Sequence, residues 1–238
     1  MKTIVTITLN PAIDKSSRVQ NVVAEKKLSC KPPRFEPGGG GLNVSRAIKK
    51  LGGESILLYP AGGLTGERLK ELLYEEGLAH RFFSIEGIIR ENLVILEEST
   101  DQQYRFGMPG PTLQQNEWEE FLEQLSDIKP GPDYLVASGS LPPGVPADFY
   151  AQLARAGKDR GAKVIVDTSG EALEKACKEG AGDSMVAGTV LSLARGKSLK
   201  ESVMFGVAAG TAAVMTPGTQ LCRKEDTERL FETMISES

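Results

Sequence analysis

Residues 180–183, Gly180-Ala181-Gly182-Asp183, form a small-residue turn that ends in a carboxylate where a helical run begins. At such a helix start the amides of Ala181, Gly182 and Asp183 can form an anion hole, and the Asp183 carboxylate can take a proton from an attacking hydroxyl. These are the parts needed to pass a phosphoryl group to an alcohol. The competing reading is that Asp183 simply caps the helix. A second candidate is the run Glu36-Pro37 followed by Gly38, Gly39, Gly40 and Gly41, just before an amphipathic helix. Backbone without side chains can approach a ligand closely, and a helix N-terminus adds positive potential. The run is neither a Walker A loop nor GxGxxG, and a mobile surface hinge is its alternative. PAGGLTGERL (60–69) has the wrong spacing for a dinucleotide and reads as a plain strand-to-helix turn.

Scattered polar residues extend this list. Asp14 follows the first strand, Asn43 opens the helix after the glycines, and Ser138-Gly139-Ser140 ends a strand. Open α/β sheets bind ligands beyond such strand ends. Lys27, Arg90 and Arg105 are cations that can meet a phosphate, although each also reads as a solvated surface charge. His80 is the single histidine and reads as structural, which removes Ser-His-Asp and HExxH chemistry. Cys30, Cys177 and Cys222 are odd in number and far apart, neither a disulfide framework nor a zinc site.

The elements that must hold these groups alternate. Strands are expected at 3–9, 56–61, 81–85, 134–137 and 163–167, and helices at 43–51, 67–76, 116–125 and 147–158. That rhythm is a parallel sheet with helices on both faces. Residues 18–35 and 92–108 break it as extended antiparallel structure, the second a hairpin around Ser99-Thr100-Asp101. From Glu171 onward, helix follows helix and no strand is expected. With 238 residues, 40% hydrophobic content, 25% charged and a net charge of −4, the chain fits one large α/β domain without the basic excess of a nucleic-acid binder. The N-terminal apolar run is too short for a signal segment or membrane span. No membrane or nucleic-acid partner and a cytoplasmic location are the expectations.

Taken in order, TLNPAIDK, FEPGGGGLNVSRAI, PAGGLTGE, QYRFGMPG, SGSLPPGV, VIVDTSGEAL, GAGDSMVAG and FGVAAGTAA resemble the ribokinase-like sugar kinases of the PfkB type, over nearly the whole chain. Within that family the 6-phosphofructokinases are nearest, with fructose-1-phosphate and tagatose-6-phosphate kinases close by. The resemblance implies a doubly wound parallel sheet with a small β-sheet lid (segments about 18–35 and 88–108) in a single domain, 1–238, and a homodimer formed through the lids. It implies transfer of phosphate from ATP, with Mg2+, to fructose 6-phosphate. Asp14, Gly39, Gly40 and Asn43 would hold the sugar hydroxyls and Asp183 would be the base. Lys27, from the neighbouring subunit, Arg90, Arg105 and a serine of the SGS run would contact the sugar phosphate. That serine is Ser138 or Ser140, and Ser138 is the choice made here. Val207 and Thr211 would line the nucleotide, and Ala213 and Gly218 would belong to a potassium site in which Thr216 and Gln220 replace the asparagine and arginine usual in the nearest relatives.

One departure stands out. In the family, further strands and helices separate VIVD-SGEAL from GAGD and carry an Asn-x-x-Glu motif for magnesium and phosphates. Here Gly180 follows directly, so about two βα units, roughly 60 to 70 residues, are expected to be missing and the sheet to be incomplete at that side. The chain's own Asn116-x-x-Glu119 lies in another unit and reads as helix capping. A sugar-phosphate binder without catalysis, or an internally deleted kinase, is therefore the alternative function.

Overall fold

A computed structural model describes residues 2–129, 131–146, 148–168, 181–216 and 221–236. Nine strands run in chain order: β1 (Ile4–Ile7), β2 (Ala12–Val19), β3 (Arg34–Gly38), β4 (Ile56–Ala61), β5 (Ala79–Ser84), β6 (Arg90–Glu97), β7 (Gln102–Phe106), β8 (Tyr134–Ser138) and β9 (Lys163–Asp167). The helices are α1 (Gly40–Lys50), α2 (Gly63–Glu75), α3 (Gln115–Ser126), α4 (Phe149–Asp159), α5 (Ala181–Ala194), α6 (Leu199–Val214) and α7 (Lys224–Ser236). The expected helix at 171–179 lies outside the described residues.

Five strands form a parallel sheet in the order β5-β4-β1-β8-β9. The β1 sequence IVTI is buried at every position, as a central strand covered on both faces must be. Alternate residues face opposite layers. Val5, Ile7, Leu57, Tyr59, Leu135 and Ala137 pack with α2, α3 and α4, whereas Ile4, Tyr134 and Val136 pack with α1, α5, α6 and α7. The chain moves outward from β1 through β4 to β5, then returns to the other side through β8 to β9. Its direction therefore reverses between β1 and β8, and a crevice opens beyond the carboxyl ends of those two strands. Among the described residues β9 pairs only with β8, and helices alone follow it.

Helix α3 starts differently from the expected Asn116–Glu119 cap. Buried Glu117 accepts from the backbone N–H of Gln114 (2.7 Å) and also from that of Glu86 (2.8 Å), pinning the loop after β5 to the helix start. Glu119 accepts from the Gln115 side chain instead. The capping box that opens α6 is conventional, with Ser198 Oγ accepting from the Glu201 N–H and Glu201 accepting from the Ser198 N–H.

The second sheet has the order β3-β2-β6-β7 and is mixed rather than wholly antiparallel, since β2 runs parallel to β6. It begins at Ala12, ahead of the expected 18, and residues 20–33 contain no strand. That segment carries Pro32-Pro33 and is exposed almost throughout, so it cannot extend a ladder. Glu97 holds it instead. The buried carboxylate accepts from the Val22 N–H (2.7 Å), Thr100 Oγ1 (2.7 Å) and Tyr104 Oη (3.2 Å), and the Val22 bond contributes most to a pKa below the usual 4.5. The charged form is the bonded one, so its contribution is full above the unfolded-state pKa and lost as pH falls through the lower folded value. Glu97→Gln is expected to melt below the wild type at pH 7, and this gap should narrow below about pH 4.5. Thermal unfolding across that range is the check.

Candidate active site

The four glycines do not form a loose hinge, because each meets a different wall. A Cβ on Gly38 would lie 2.4 Å from the Asp14 carboxylate, and one on Gly39, whose φ is 119°, would lie 2.9 Å from Thr8 Cγ2. On Gly40 it would stand 2.4 Å from Ser138 Oγ and 2.7 Å from the Gly139 nitrogen, and on Gly41 it would lie 2.0 Å from the Ile7 carbonyl oxygen. The run lets α1 start in direct contact with the ends of β1 and β8. Thr8 Oγ1 accepts from the Leu42 N–H at 2.8 Å, serving the first turn that Gly39 has no side chain to cap.

This close approach places Asp14, Gly39, Gly40 and Asn43, all half-buried, around one crevice. Asp14 is the third residue of β2, and its Oδ1 accepts from Asn92 Nδ2 at 2.8 Å across the β2–β6 pair. Arg90 begins β6, and its guanidinium donates to the Met108 carbonyl (2.9 Å) and the Asn10 carbonyl (3.1 Å). Burial lowers the Arg90 pKa, and the charge of Asp14 offsets part of that effect. Of the two other expected cations, Arg105 is exposed on β7 opposite Val94, and Lys27 is exposed in the 20–33 segment.

The two serines of the SGS run differ. Ser138, the choice made from sequence, is 2% exposed, donates to Asp167 Oδ2 at 3.1 Å and lies against Gly40. Ser140 is exposed and accepts from Asn10 Nδ2 at 3.1 Å, which leaves its own proton for another acceptor. β8 is buried at every position, Ser138 included, and Gly139, with φ 113°, turns the chain so that Ser140 emerges. Ser140 is thus the more exposed of the two hydroxyls. Asn10, Asn92 and Asp167 bond to Ser140, Asp14 and Ser138, and the sequence reading did not single them out. Asn10 and Asp167 each follow or end a strand that reaches the crevice, and that was the signal available.

Gly180 lies outside the described residues, and for Ala181, Gly182 and Asp183 the description stops at the backbone, which opens α5. Helix packing nevertheless sets their level. Arg195, just past α5, donates to the carbonyls of Leu51 and Gly52, just past α1. The core residues Val44, Ala47 and Ile48 of α1 meet Ala187, Val190 and Leu191 of α5. The helices run side by side in one direction at about 1.5 Å per residue, so Asp183 stands level with Gly40, at the crevice. Helix α6 packs antiparallel to α5 through Gly188 and Gly206, where a Cβ on Gly206 would lie 1.9 Å from Thr189 Oγ1. Val207 and Thr211 share one exposed face of α6, and Thr211 Oγ1 donates to the Val207 carbonyl.

The Ala213 carbonyl accepts from both the hydroxyl (2.7 Å) and the N–H (3.2 Å) of Thr216. Gly218, its expected companion in the potassium site, lies outside the described residues. His80 Nδ1 is 3.1 Å from Tyr59 Oη, with its pKa lowered by burial and by Lys70, as a structural histidine would be. The glycines of PAGGLTGERL pack in the β4–α2 turn, Gly62 against the Ile85 and Gly87 carbonyls, as a plain strand-to-helix turn requires. Among the described residues no helix is long and apolar enough to cross a membrane.

A doubly wound sheet with a small accessory sheet and a glycine-framed helix start at the sheet's reversal is the architecture that the sequence resemblance implied. The chain matches the family model of the pfkB family carbohydrate kinases over residues 4–179 and 179–226, and it belongs to that family. It is 35% identical to the ATP-dependent 6-phosphofructokinase isozyme 2 of Escherichia coli over 305 aligned positions, covering 97% of this chain and 98% of that one. Similarity to the 1-phosphofructokinase of Bacillus subtilis is 37% over 174 residues, 73% of this chain and 56% of that one. The crystal structure of phosphofructokinase-2 from Escherichia coli in complex with fructose-6-phosphate superposes with a TM-score of 0.89 at 34% identity, covering 99% of this chain and 100% of that one. The same Escherichia coli protein is also known in a tetrameric inhibited form.

An alignment of 305 positions against 238 residues leaves at least 67 positions of that relative without a counterpart here. The family match breaks at residue 179, beside Gly180. The break in the match falls between β9 and α5, where the missing block is expected.

The glycine contacts give a direct test. Gly40→Ala is expected to destabilise the fold by about 1–3 kcal/mol, because the added methyl has to displace backbone at Ser138 and Gly139. Urea unfolding measures this. Gly107→Ala, at a position with nothing within 4 Å of the added atom, is the control and should change little.

Proposed function

We propose that this chain is an ATP-dependent sugar-phosphate kinase acting on fructose 6-phosphate to give the 1,6-bisphosphate and ADP. The carrying observation is the assembled sugar side of the crevice, in a chain 35% identical along its length to a 6-phosphofructokinase. In this reading Asp14, Asn43 and the Gly39–Gly40 backbone hold the sugar hydroxyls. Arg90 and Ser140 take the 6-phosphate, with Arg105 and Lys27 reaching it from the second sheet and the 20–33 segment. Asp183 removes the proton of the 1-hydroxyl while the amides of Ala181, Gly182 and Asp183 stabilise the charge on the transferred group. Val207 and Thr211 lie along the nucleotide, and magnesium enters on the ATP phosphates.

The second sheet serves as a lid on a single domain. Phe35, Phe106 and Met108 are 40%, 49% and 46% exposed on or beside it, an apolar surface suited to pairing two copies into a dimer. That arrangement would also bring Lys27 of one copy toward the crevice of the other.

The absent block supports a second reading, a sugar-phosphate binder that has lost catalysis. An ADP-release assay with fructose 6-phosphate and MgATP separates the two. Turnover that falls by at least about a hundredfold in Asp183→Asn, with sugar binding retained, is the expected outcome for the kinase. A folded wild type that binds the sugar phosphate but releases no ADP establishes the binder.

The serine assignment has its own test. Ser140→Ala should weaken fructose 6-phosphate binding about tenfold, the cost of one charge-assisted hydrogen bond, and leave fructose binding unchanged. Ser138→Ala should mainly lower the melting temperature. The reverse pattern in titration calorimetry would restore Ser138 as the phosphate contact.

A further inference from the structure

A buried arginine behind the crevice connects it to the far end of α2. Arg46 lies on α1, one turn after Asn43, and its side chain is 9% exposed. Nε and Nη2 fork onto the Glu76 carboxylate at 2.7–3.0 Å. The other edge of the guanidinium faces the glycine run: Nη1 donates to the Pro37 carbonyl at 3.0 Å and to Asn43 Oδ1 at 3.4 Å, while Nη2 also reaches Glu36 at 3.2 Å. Glu76 is the C-cap of α2, whose other end follows β4 at the crevice side of the sheet. It touches none of the residues placed around the sugar.

From this geometry we infer that Glu76 and Arg46 form a positioning relay that sets sugar-phosphate affinity by fixing Pro37, and with it the Gly38–Gly39 backbone, against Asp14. The inference rests on the proposed sugar site. A planar guanidinium has fixed donor directions. Once Glu76 engages one edge, Nη1 has a single orientation toward Pro37 and Asn43. Gly38 has no slack to absorb an error, because its Cα already abuts the Asp14 carboxylate. Any displacement of Pro37 must therefore appear as a changed distance between Asp14 and the Gly39 backbone. The Arg46 link to Asn43 has a second effect. With Oδ1 accepting from the guanidinium, the orientation of the Asn43 amide is tied to that of Arg46. Burial opposes the charge on Arg46, and the hydrogen bonds and charges of Glu76, then the charge of Glu36, outweigh it, leaving the pKa above its ordinary value.

The test is titration calorimetry with fructose 6-phosphate on the full chain and on Glu76→Gln, Arg46→Lys, Arg46→Met and the Glu76→Gln/Arg46→Met double variant, with thermal melting of each. Glu76→Gln and Arg46→Lys are expected to weaken binding about tenfold, the loss of one charge-assisted hydrogen bond. The double variant should bind no worse than Arg46→Met alone, since both changes break one relay. A Glu76→Gln chain that melts lower but binds as the wild type does would make the pair a purely structural bridge and overturn the inference, as would additive losses in the double variant. A wild type that fails to bind fructose 6-phosphate would overturn the proposed sugar site first, and the relay with it. Arg46→Lys keeps the charge without the fork, so the inference survives even if Arg46→Met does not fold.

Discussion

The fold depends on the direct contact between the start of α1 and the carboxyl ends of β1 and β8. Four successive backbone units lie where a methyl group would collide with a carboxylate, a methyl, a hydroxyl and a carbonyl in turn. Only glycine allows that, and Gly39 also adopts a φ that other residues rarely take. The result is a helix N-terminus held at the point where the sheet reverses direction, with Thr8 satisfying a buried amide that would otherwise be left over. Side chains from β2, α1 and the end of β8 converge because this contact holds their elements together. The entropic cost of four glycines in the unfolded chain is offset by a junction that no other composition could form.

A division of labour follows from the order of segments along the chain. The residues placed around the sugar, from Asn10 to Ser140, precede the break at residue 179. Their neighbours, Asn92, Arg46, Glu76 and Asp167, also precede it. Loss of at least 67 positions beyond that point leaves these contacts intact. The nucleotide side is different. It retains α5, whose start is held level with Gly40 by packing against α1, and the exposed face of α6. Shared register with α1 sets the level of the start of α5.

Periodicity and turn residues made most of the architecture legible in the sequence. The strands at 56–61 and 163–167 are as expected, and the parallel rhythm is real. The second sheet was less legible, because β2 carries the mixed sequence AIDKSSRV, whose partners β3 and β6 are distant in the chain. Nothing local says that Asp14 already belongs to a strand. The tetraglycine alone admits a hinge or a cradle, and only the contacts of each Cα decide between them. Ser138 and Ser140 are two apart and indistinguishable by type. What separates them is the positive φ of Gly139, which takes Ser140 out of the buried strand. Arg46 and Glu76 stand 30 residues apart in the chain, and nothing in the sequence links them. Their pairing is a property of how α1 and α2 pack.

On the proposed reading, the crevice is prepared electrostatically for an anion before one arrives. Arg90 Nε and Asn10 Oδ1 are buried without a hydrogen-bond partner among the described residues, and an unmade bond of this kind costs about 1–3 kcal/mol. Burial lowers the Arg90 pKa against the partial support of Asp14, so the folded chain already bears much of the desolvation that binding would otherwise require. Arg90 is held by two carbonyls, of Asn10 and Met108, which fix its direction without neutralising it. A carboxylate in either place would have formed an internal ion pair and removed the site's attraction for phosphate. Ser140 follows the same logic, because an amide donor occupies its oxygen and leaves its proton available. Orientation supplied by neutral groups, with charge left uncompensated, is the arrangement that gives a phosphate oxygen the greatest differential gain on binding.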